Sequence, residues 1–439
     1  MTAIDSAATL VHPIAPATLE EAGLKADLVQ QLALKLLYFN GELSGTDMAK
    51  RLGLAFSVFE SCLESLKQQR LVEITGGAVF GGASFRYRIT DAGRARTAGV
   101  LEQSQYVGAA PVPLEQYRRY MLDFKQAAPL HANREAVREA FSHLVVSEAI
   151  IDAVGPAVNS GHSMFVYGSP GNGKTMLAQA IRKLLVGEIA IPHALEVEGN
   201  IINVFDPVNH EELPLEKAND GLAIGVQDDR RWARCRRPLV MVGGELTMDA
   251  LELRYNATGK FYRAPVQMVA NGGMLVIDDF GRQHCSPRDL LNRWIVPLES
   301  RIDFLSLQSG QTFDMPFMVL LLLATNLKPT ELADEAFLRR IRYKIFAESP
   351  SVDDFIRIFE SYCATREIPF ERFVVEHMLQ QYYRPNRIPL RACQPRDLIT
   401  QALALASYLG RPARLTPELM DAACQSYFVD DREVPATYA

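Results

Sequence analysis

A glycine-rich loop between a short apolar run and a helical segment constrains this chain most. The apolar run covers residues 163–167, and residues 176–185 have helical spacing. Such a loop lets backbone N–H groups converge on phosphate oxygens at a helix N-terminus. The pattern therefore predicts a Walker A loop that binds a nucleoside triphosphate, with Lys174 at the outer phosphates and Thr175 as a Mg²⁺ ligand. The predicted binding residues are Gly168, Ser169, Pro170, Gly171, Asn172, Gly173, Lys174, Thr175 and Met176.

A second apolar run, residues 274–277, ends in the carboxylates Asp278 and Asp279. This pattern suits a buried central strand that delivers acids at its carboxyl end. Downstream of a phosphate-binding loop, it predicts that Asp278 holds Mg²⁺ and that Asp279 orients or deprotonates the attacking water. The alternative is a strand that simply ends in a turn-forming pair of aspartates.

A third apolar run, residues 317–324, is followed by Asn326, and residues 115–346 alternate between helical and strand-like segments. That alternation predicts an α/β fold with a parallel sheet. Together these motifs resemble the AAA+ ATPase family over about residues 114–427. The resemblance implies a P-loop parallel sheet with helices on both faces at residues 115–348, an all-α lid at residues 349–439, and ATP and Mg²⁺ as cofactors.

The resemblance also assigns roles to polar residues after the third run. Asn326 matches the residue that helps to place the lytic water. Arg340, with Arg339 next, matches the arginine finger that acts on a neighbouring subunit, although Arg342 lies in the same basic cluster and the choice among the three stays open. Arg396 in Gln-Pro-Arg-Asp matches the lid arginine that touches the γ-phosphate. The alternatives are a strand-ending asparagine, a solvated helix end and a surface Arg–Asp pair.

The N-terminal part has the sequence pattern of a helix-turn-helix. Residues 24–39, 44–52 and 56–69 have helical patterns, and residues 71–75 and 84–90 alternate like two strands of a wing. Residues 21–100 thus resemble a winged-helix domain. Residues 1–100 contain ten Lys and Arg and ten Asp and Glu, so they offer DNA no net positive charge. A protein-docking or structural role is favoured, with DNA binding as the alternative.

The rest of the chain bounds the function. Residues 1–20 are predicted to be a flexible tail and residues 101–114, which are rich in proline and small residues, a linker. No apolar run approaches the ~20 residues of a membrane span. The net charge is −6 and the six cysteines form no metal-binding or disulfide pattern, so a cytoplasmic location is expected.

The distance between Lys174 and Asp278 predicts an insertion between the second strand and the Walker B strand, with residues 239–244 as an extra strand. Within it, residues 260–262 are either a pore loop that grips a polymer or an aromatic pair that packs the insertion. A hairpin at residues 302–307 and 312–315 makes the chain similar to the branch of MoxR-type chaperones and magnesium chelatase subunits. Asp279 stands where the family has glutamate, which predicts slow hydrolysis.

These features predict a ring-forming ATPase that remodels a protein complex, and the family resemblance implies a homo-oligomer in the form of a hexameric ring. Its winged helix would recruit an unknown protein client. Two alternatives remain at this stage. One is a DNA-directed ATPase of the initiator, loader or transposition-helper type. The other is a nucleotide-gated scaffold that scarcely hydrolyses ATP.

Overall fold

The structure is a computed structural model that describes residues 12–76, 81–214, 228–332 and 334–428. Residues 77–80 of the predicted wing therefore lie outside the described residues, as do the first 11 residues of the predicted tail and the last 11 of the predicted lid. Among the described residues, no helix is both long enough and apolar enough to cross a membrane.

The N-terminal part consists of helices packed on a three-stranded antiparallel sheet whose central strand, Arg86–Ile89, lies between Glu42–Ser44 and Val72–Gly76. The Ser44 hydroxyl caps the second helix by accepting from Asp47 N at 3.0 Å, and Gly53 ends that helix at φ 67°. This is the element order that the sequence predicts for a winged helix. The elements are α1 (Ala26–Asn40), β1 (Glu42–Ser44), α2 (Gly45–Leu52), α3 (Phe56–Gln68), β2 (Val72–Gly76), β3 (Arg86–Ile89) and α4 (Asp91–Gln103).

The central part begins with an edge strand and a helix and contains the predicted α/β unit. Its elements, in chain order, are β4 (Val112–Pro113), α5 (Leu114–Ala127), α6 (Arg134–Ala140), α7 (Glu148–Ser160), β5 (Met164–Tyr167), α8 (Lys174–Arg182), β6 (Glu188–Pro192), β7 (Ala194–Val197), β8 (Asn200–Asn203), β9 (Trp232–Arg236), β10 (Leu239–Val242), β11 (Arg254–Asn256), β12 (Phe261–Arg263), α9 (Val266–Val269), β13 (Met274–Ile277), α10 (Pro287–Arg293), α11 (Ile295–Ser300), β14 (Ile302–Ser306), β15 (Thr312–Pro316), β16 (Leu320–Thr325), α12 (Pro329–Leu332), α13 (Glu335–Leu338) and β17 (Tyr343–Phe346).

The main sheet is parallel and has the order β10-β13-β16-β5-β17. Successive side chains of its strands point to opposite faces, and both faces are covered. Val166 and Val276 pack with α6, α7 and α8, whereas Phe165 and Leu275 pack with Trp294 and Leu290 from α10 and its C-terminal end. The predicted fold class, a parallel sheet between two layers of helices, is thereby confirmed.

The position of the insertion differs from the prediction. Residues 239–242 form β10, which pairs directly with the Walker B strand β13 and therefore belongs to the main sheet. The inserted strands instead lie mainly between α8 and β10. Part of them builds a second sheet of order β11-β12-β8-β7-β4. A strand buried against a neighbouring strand has the same apolar sequence in either sheet, so the pattern did not reveal the partner.

Residues 101–114, predicted to be a linker, are packed against the rest of the chain. Helix α4 extends through Gln103, Ala110 N donates to Leu52 O at 2.8 Å, and β4 pairs with β7 in the second sheet. The predicted tail is also partly packed, because Ile14 forms a β-bridge with Asp228. The prolines stop a helix, as expected, but they do not prevent an edge strand.

The aromatic pair of residues 260–262 packs the insertion and does not form a free loop. The Tyr262 side chain is buried, and its hydroxyl accepts a hydrogen bond from Gln308 N at 3.0 Å. Phe261 contacts Tyr106 edge to face, with ring centroids 6.1 Å apart. Because both rings are occupied within the chain, the pore-loop interpretation is wrong and the packing alternative holds.

Helices are the only regular secondary structure in the described residues of the C-terminal part, as predicted. Phe355, Phe359, Met378 and Leu398 lie in its core, which is separate from that of the main sheet. The α-helices are α14 (Val352–Thr365), α15 (Arg372–Met378), α16 (Arg384–Asn386), α17 (Gln394–Tyr408) and α18 (Pro417–Tyr427), and a π-helical turn (Leu379–Tyr383) links α15 to α16.

Candidate nucleotide-binding site

The predicted phosphate-binding loop connects β5 to α8 at the carboxyl end of the main sheet. Three of its glycines have positive φ angles: Gly168 at 146°, Gly171 at 80° and Gly173 at 77°. A Cβ atom on Gly168 would lie 2.4 Å from Ala347 O, so a side chain there would collide with backbone. The loop therefore needs glycine to pass this close to β17, and its curvature leaves backbone N–H groups for a phosphate.

Lys174 lies at the start of α8 with its side chain buried beneath the loop. Its ammonium donates to Gly168 O at 3.0 Å, to Ser169 O at 3.1 Å and to Asn326 Oδ1 at 2.6 Å. Burial lowers the pKa of this ammonium, Asp279 and Asp278 oppose the shift, and Arg391 adds to it. A phosphate oxygen could exchange with these neutral carbonyl acceptors, which makes the lysine available to an anion.

Thr175 and Asp278 meet at the same end of the sheet, although 103 residues separate them. The Thr175 hydroxyl donates to Asp278 Oδ2 at 2.8 Å. A hydroxyl and a carboxylate are hard oxygen ligands, and Mg²⁺ is usually held by one or two such protein groups, with water and substrate phosphates completing its shell. The two residues therefore fit a Mg²⁺ ion that is bound together with a nucleotide.

Asp279 has an unusual backbone conformation, and Asn326 holds its side chain. The φ angle of Asp279 is 49°, in the left-handed region that non-glycine residues seldom adopt. Asn326, just after β16, donates from Nδ2 to Asp279 Oδ1 at 2.8 Å, while its Oδ1 accepts from Lys174. The predicted phosphate ligand and the predicted hydrolytic carboxylate are thus joined through one amide side chain.

Gln283, which the sequence patterns did not single out, stabilises the turn around Asp279. Its Nε2 donates to Asp278 O at 3.0 Å and to Asp279 O at 3.2 Å, and its Oε1 accepts from Gly281 N at 2.8 Å. A longer contact of 3.5 Å reaches Gly243 O, next to β10. Through these hydrogen bonds a single side chain holds the turn in its conformation. A glutamine four residues after an aspartate pair is too common a pattern to have predicted it.

The lid meets the loop through Arg391 and Cys393, whereas Arg396 has other contacts. Cys393 N donates to Gly171 O at 2.8 Å, and Arg391 donates to Ser349 Oγ at 3.0 Å. Arg396 is exposed on the first turn of α17 and is bonded to its neighbour Asp397. A Cβ atom on Gly171 would lie 3.6 Å from Arg391 Cβ, so Arg391 reaches the phosphate-binding loop, and no sequence pattern distinguished it from other arginines.

Two other predicted residues of the loop, Asn172 and Met176, have different surroundings. Asn172 is buried and donates to Ala347 O and to Ser349 Oγ, both at 3.2 Å. Met176 is 41% exposed on the first turn of α8. Asn172 therefore holds the loop against the segment that follows β17, while Met176 leaves its side chain open to solvent or to a ligand.

The arginines predicted to act as the finger lie at the amino ends of the strands of the main sheet, opposite the phosphate-binding loop. Ala347 N donates to Tyr167 O, so the carboxyl end of β17 lies beside the start of the phosphate-binding loop. Arg342 immediately precedes β17, and a strand of this length spans about 10 Å. Arg340 donates to Glu299 at 2.6 Å, and Arg339 is exposed. The structure therefore separates these arginines from the loop of their own chain.

The parallel sheet, the glycine loop after β5 and the paired carboxylates after β13, two strands away in the sheet, form the arrangement of a P-loop nucleotide-binding fold, which is similar to that of AAA+ ATPases. Residues 141–213 match the family model described as magnesium chelatase, subunit ChlI. Residues 351–426 match a domain of unknown function, DUF8689. No curated protein gives a significant match.

Solved structures of two bacterial proteins are similar to the chain. The Thermotoga maritima RuvB Holliday junction branch migration motor is 14% identical, with 66% of this chain and 72% of that chain covered and a TM-score of 0.37. NtrX from Brucella abortus in complex with ADP is 14% identical, with 69% of this chain and 59% of that chain covered and a TM-score of 0.38. At these scores neither likeness bears on function.

Proposed function

We propose that this protein binds ATP with Mg²⁺ and hydrolyses the ATP in a ring-shaped assembly of identical subunits, in order to remodel a protein complex. The observation that carries the hydrolytic part of the proposal is the hydrogen-bonded series from Lys174 through Asn326 to Asp279. It links a cation suited to the outer phosphates with a carboxylate suited to an attacking water.

Each side chain of the site has a distinct task in this proposal. Lys174 and the backbone N–H groups of the loop bind the phosphates, and Thr175 and Asp278 hold Mg²⁺. When bound, the metal ion neutralises charge on the phosphate oxygens. Asp279 accepts a proton from water or orients it, and Asn326 fixes the Asp279 carboxylate and one face of Lys174. From the lid, Arg391 supplies a further positive charge beside the loop, because it lies next to Gly171.

The separation of the arginine cluster from the loop supports assembly. A guanidinium at the amino ends of the strands cannot reach a nucleotide at the carboxyl ends of the same strands without unfolding part of β17. It can reach a nucleotide that a neighbouring copy holds. Arg340 and Arg339 are therefore proposed as groups that act in trans, where they would stabilise the charge that develops during phosphoryl transfer.

For the N-terminal winged helix we propose a role in recruiting a protein client. Two arginines of the wing strands are already paired with carboxylates: Arg86 contacts Glu42 at 3.2 Å, and Arg88 contacts Glu73 at 2.7 Å. Helix α3 also presents exposed Glu60. These carboxylates offset the positive charge that DNA phosphates need, so they favour a protein partner over DNA.

Steady-state ATP hydrolysis, measured against protein concentration with and without duplex DNA, tests the proposal. We expect turnover per chain to rise with concentration and to vanish in Lys174→Ala, and DNA to leave it unchanged. Stimulation by DNA with a steep salt dependence would replace the client proposal by the DNA-directed alternative. Turnover that stays negligible at every concentration, although ATP binds, would instead support the scaffold alternative.

A further inference from the structure

A cavity of about 740 Å³ opens at the amino edge of the main sheet, opposite the phosphate-binding loop. It lies where four strands begin: His162 precedes β5, Gly273 precedes β13, Leu320 starts β16 and Arg342 precedes β17. Phe317, Met318 and Leu130 form an apolar part of its wall. A volume of this size is typical of sites for small organic ligands.

The cavity is lined by an excess of positive charge. Its lining contains six lysine and arginine side chains but only one carboxylate in the part of the chain that the structure describes, that of Glu299, which is bonded to Arg340. The six cations are Lys125, Arg237, Arg301, Arg339, Arg340 and Arg342. Like charges gathered in one concave site repel one another unless a counter-charge enters.

Two of these cations, the buried Arg237 and the half-buried Arg301, donate hydrogen bonds only to neutral backbone carbonyls among the contacts of the described residues. Arg237 is 8% exposed and donates to the carbonyl oxygens of Val186, Gly272 and Ala128. Arg301 donates to Gly161 O at 2.6 Å. These carbonyls hold the guanidinium groups in place but do not neutralise them. Burial lowers the pKa of Arg301, and the nearby Arg342 lowers it further.

The imidazole of His162 also lines the cavity and is exposed to its positive charges. Its Nδ1 lies 2.8 Å from Ser160 O, which suits an N–H donor. Nε2 is then the unprotonated nitrogen of the neutral ring. Burial lowers the pKa of His162, and the charges of Arg301, Arg342 and Lys125 lower it too. An anion in the cavity would reverse the electrostatic part of this effect.

We propose that this cavity is a second anion-binding site, distinct from the Walker A site, which takes a small phosphorylated ligand. Its phosphate groups would face Arg301, Arg342 and Lys125, and its less polar body would lie against Phe317 and Met318. Arginine suits phosphate because its planar guanidinium offers two parallel donors. The site goes beyond the proposed ATP hydrolysis, because its residues lie at the other edge of the sheet.

Inorganic pyrophosphate is the probe, and the Lys174→Ala protein, which lacks the main cation of the Walker A site, is the host. Calorimetric titration is made at low salt and at a concentration where sedimentation shows single chains. We expect one pyrophosphate per chain. Adding Arg342→Gln should weaken binding about tenfold, since a charge-assisted bond is lost from a partly buried site. Adding Arg384→Gln, an exposed arginine of the lid, should leave the affinity unchanged.

The imidazole NMR titration of His162 provides a second measurement that does not need the Arg342→Gln substitution. Bound pyrophosphate should raise the pKa of His162 in the Lys174→Ala protein. An unchanged His162 titration, absent saturable binding, or equal affinities in the Arg342→Gln and Arg384→Gln proteins would overturn the proposal. Binding confined to assemblies whose Walker A loops are intact would overturn it too, because the cations would then serve a neighbour's nucleotide. ATP hydrolysis by the wild type is measured separately, so either proposal can fail alone.

Discussion

Replacing Gln283 by leucine tests whether the left-handed turn at Asp279 matters for hydrolysis. Three hydrogen bonds of 2.8 to 3.2 Å hold this turn through the Gln283 amide, and each contributes about 1 kcal/mol. The left-handed conformation of a non-glycine residue costs about 1–2 kcal/mol. Without the amide, we expect Asp279 to relax toward a right-handed conformation, which points its carboxylate away from Asn326.

A shift of about 1–2 kcal/mol changes the population of the active conformation about five- to thirtyfold. We therefore expect kcat of Gln283→Leu to fall by this factor. The Kd for ATP should change less than about twofold, because the hydrogen bonds that Lys174 and Thr175 make within the described residues do not involve Gln283. Steady-state turnover gives kcat, and titration with a fluorescent ATP analogue gives the Kd.

The matched control is Gln311→Leu, which alters an exposed glutamine in the turn between β14 and β15. It should leave both constants unchanged. If Gln283→Leu kept the wild-type kcat, the turn would have no influence on hydrolysis. If kcat and ATP affinity fell in the same proportion, the glutamine would support the whole site, and the specific link to Asp279 would be wrong.

Three further predictions concern other parts of the molecule. Asn326→Ala should lower kcat about 100-fold in single-turnover assays with ATP affinity nearly unchanged, and a wild-type rate would exclude its role in placing Asp279. Arg340→Ala mixed with the wild type should reduce turnover more than dilution does, whereas a linear decrease would exclude action in trans. Lys35, which is 1% exposed, has its pKa lowered by burial to about 8, below its unfolded value, so stability should increase as the pH rises from about 8 to 10. In denaturant unfolding, Lys35→Met should therefore be about 2 kcal/mol more stable than the wild type at pH 7, and this advantage should shrink above pH 8; a constant difference would contradict the shift.

Much of the fold could be predicted because its signals are local. A strand that is buried on both faces must be continuously apolar, and residues 274–277 and 317–324 have this pattern. The polar residues that mark the site follow these two runs. The helix-turn-helix followed from the N-cap at Ser44 and the turn at Gly53. The second sheet was not predicted, because its strands are short and pair with segments far away in sequence, such as β4 with β7.

The candidate site divides in the same way. Lys174, Thr175 and Asp278 belong to motifs whose spacing reflects one loop or one strand end, and the structure brings them together. Arg391 and Gln283 act through contacts that depend on how the lid and the turn fold back. No spacing rule applies to such residues, since any arginine of the lid could have met the loop. The family resemblance assigned the γ-phosphate contact to Arg396, whose side chain is exposed and paired with Asp397 in the structure.

The aspartate at position 279 is best understood from the backbone that carries it. From the sequence, a carboxylate one methylene shorter than that of glutamate predicted slow hydrolysis, because it stays further from the phosphates. The structure adds a left-handed backbone at this residue and an amide from Asn326 that holds the carboxylate. Both features change the direction in which the short side chain points, and Gln283 stabilises the first of them. The turnover of the protein should thus depend on the rigidity of this turn as much as on the length of the side chain.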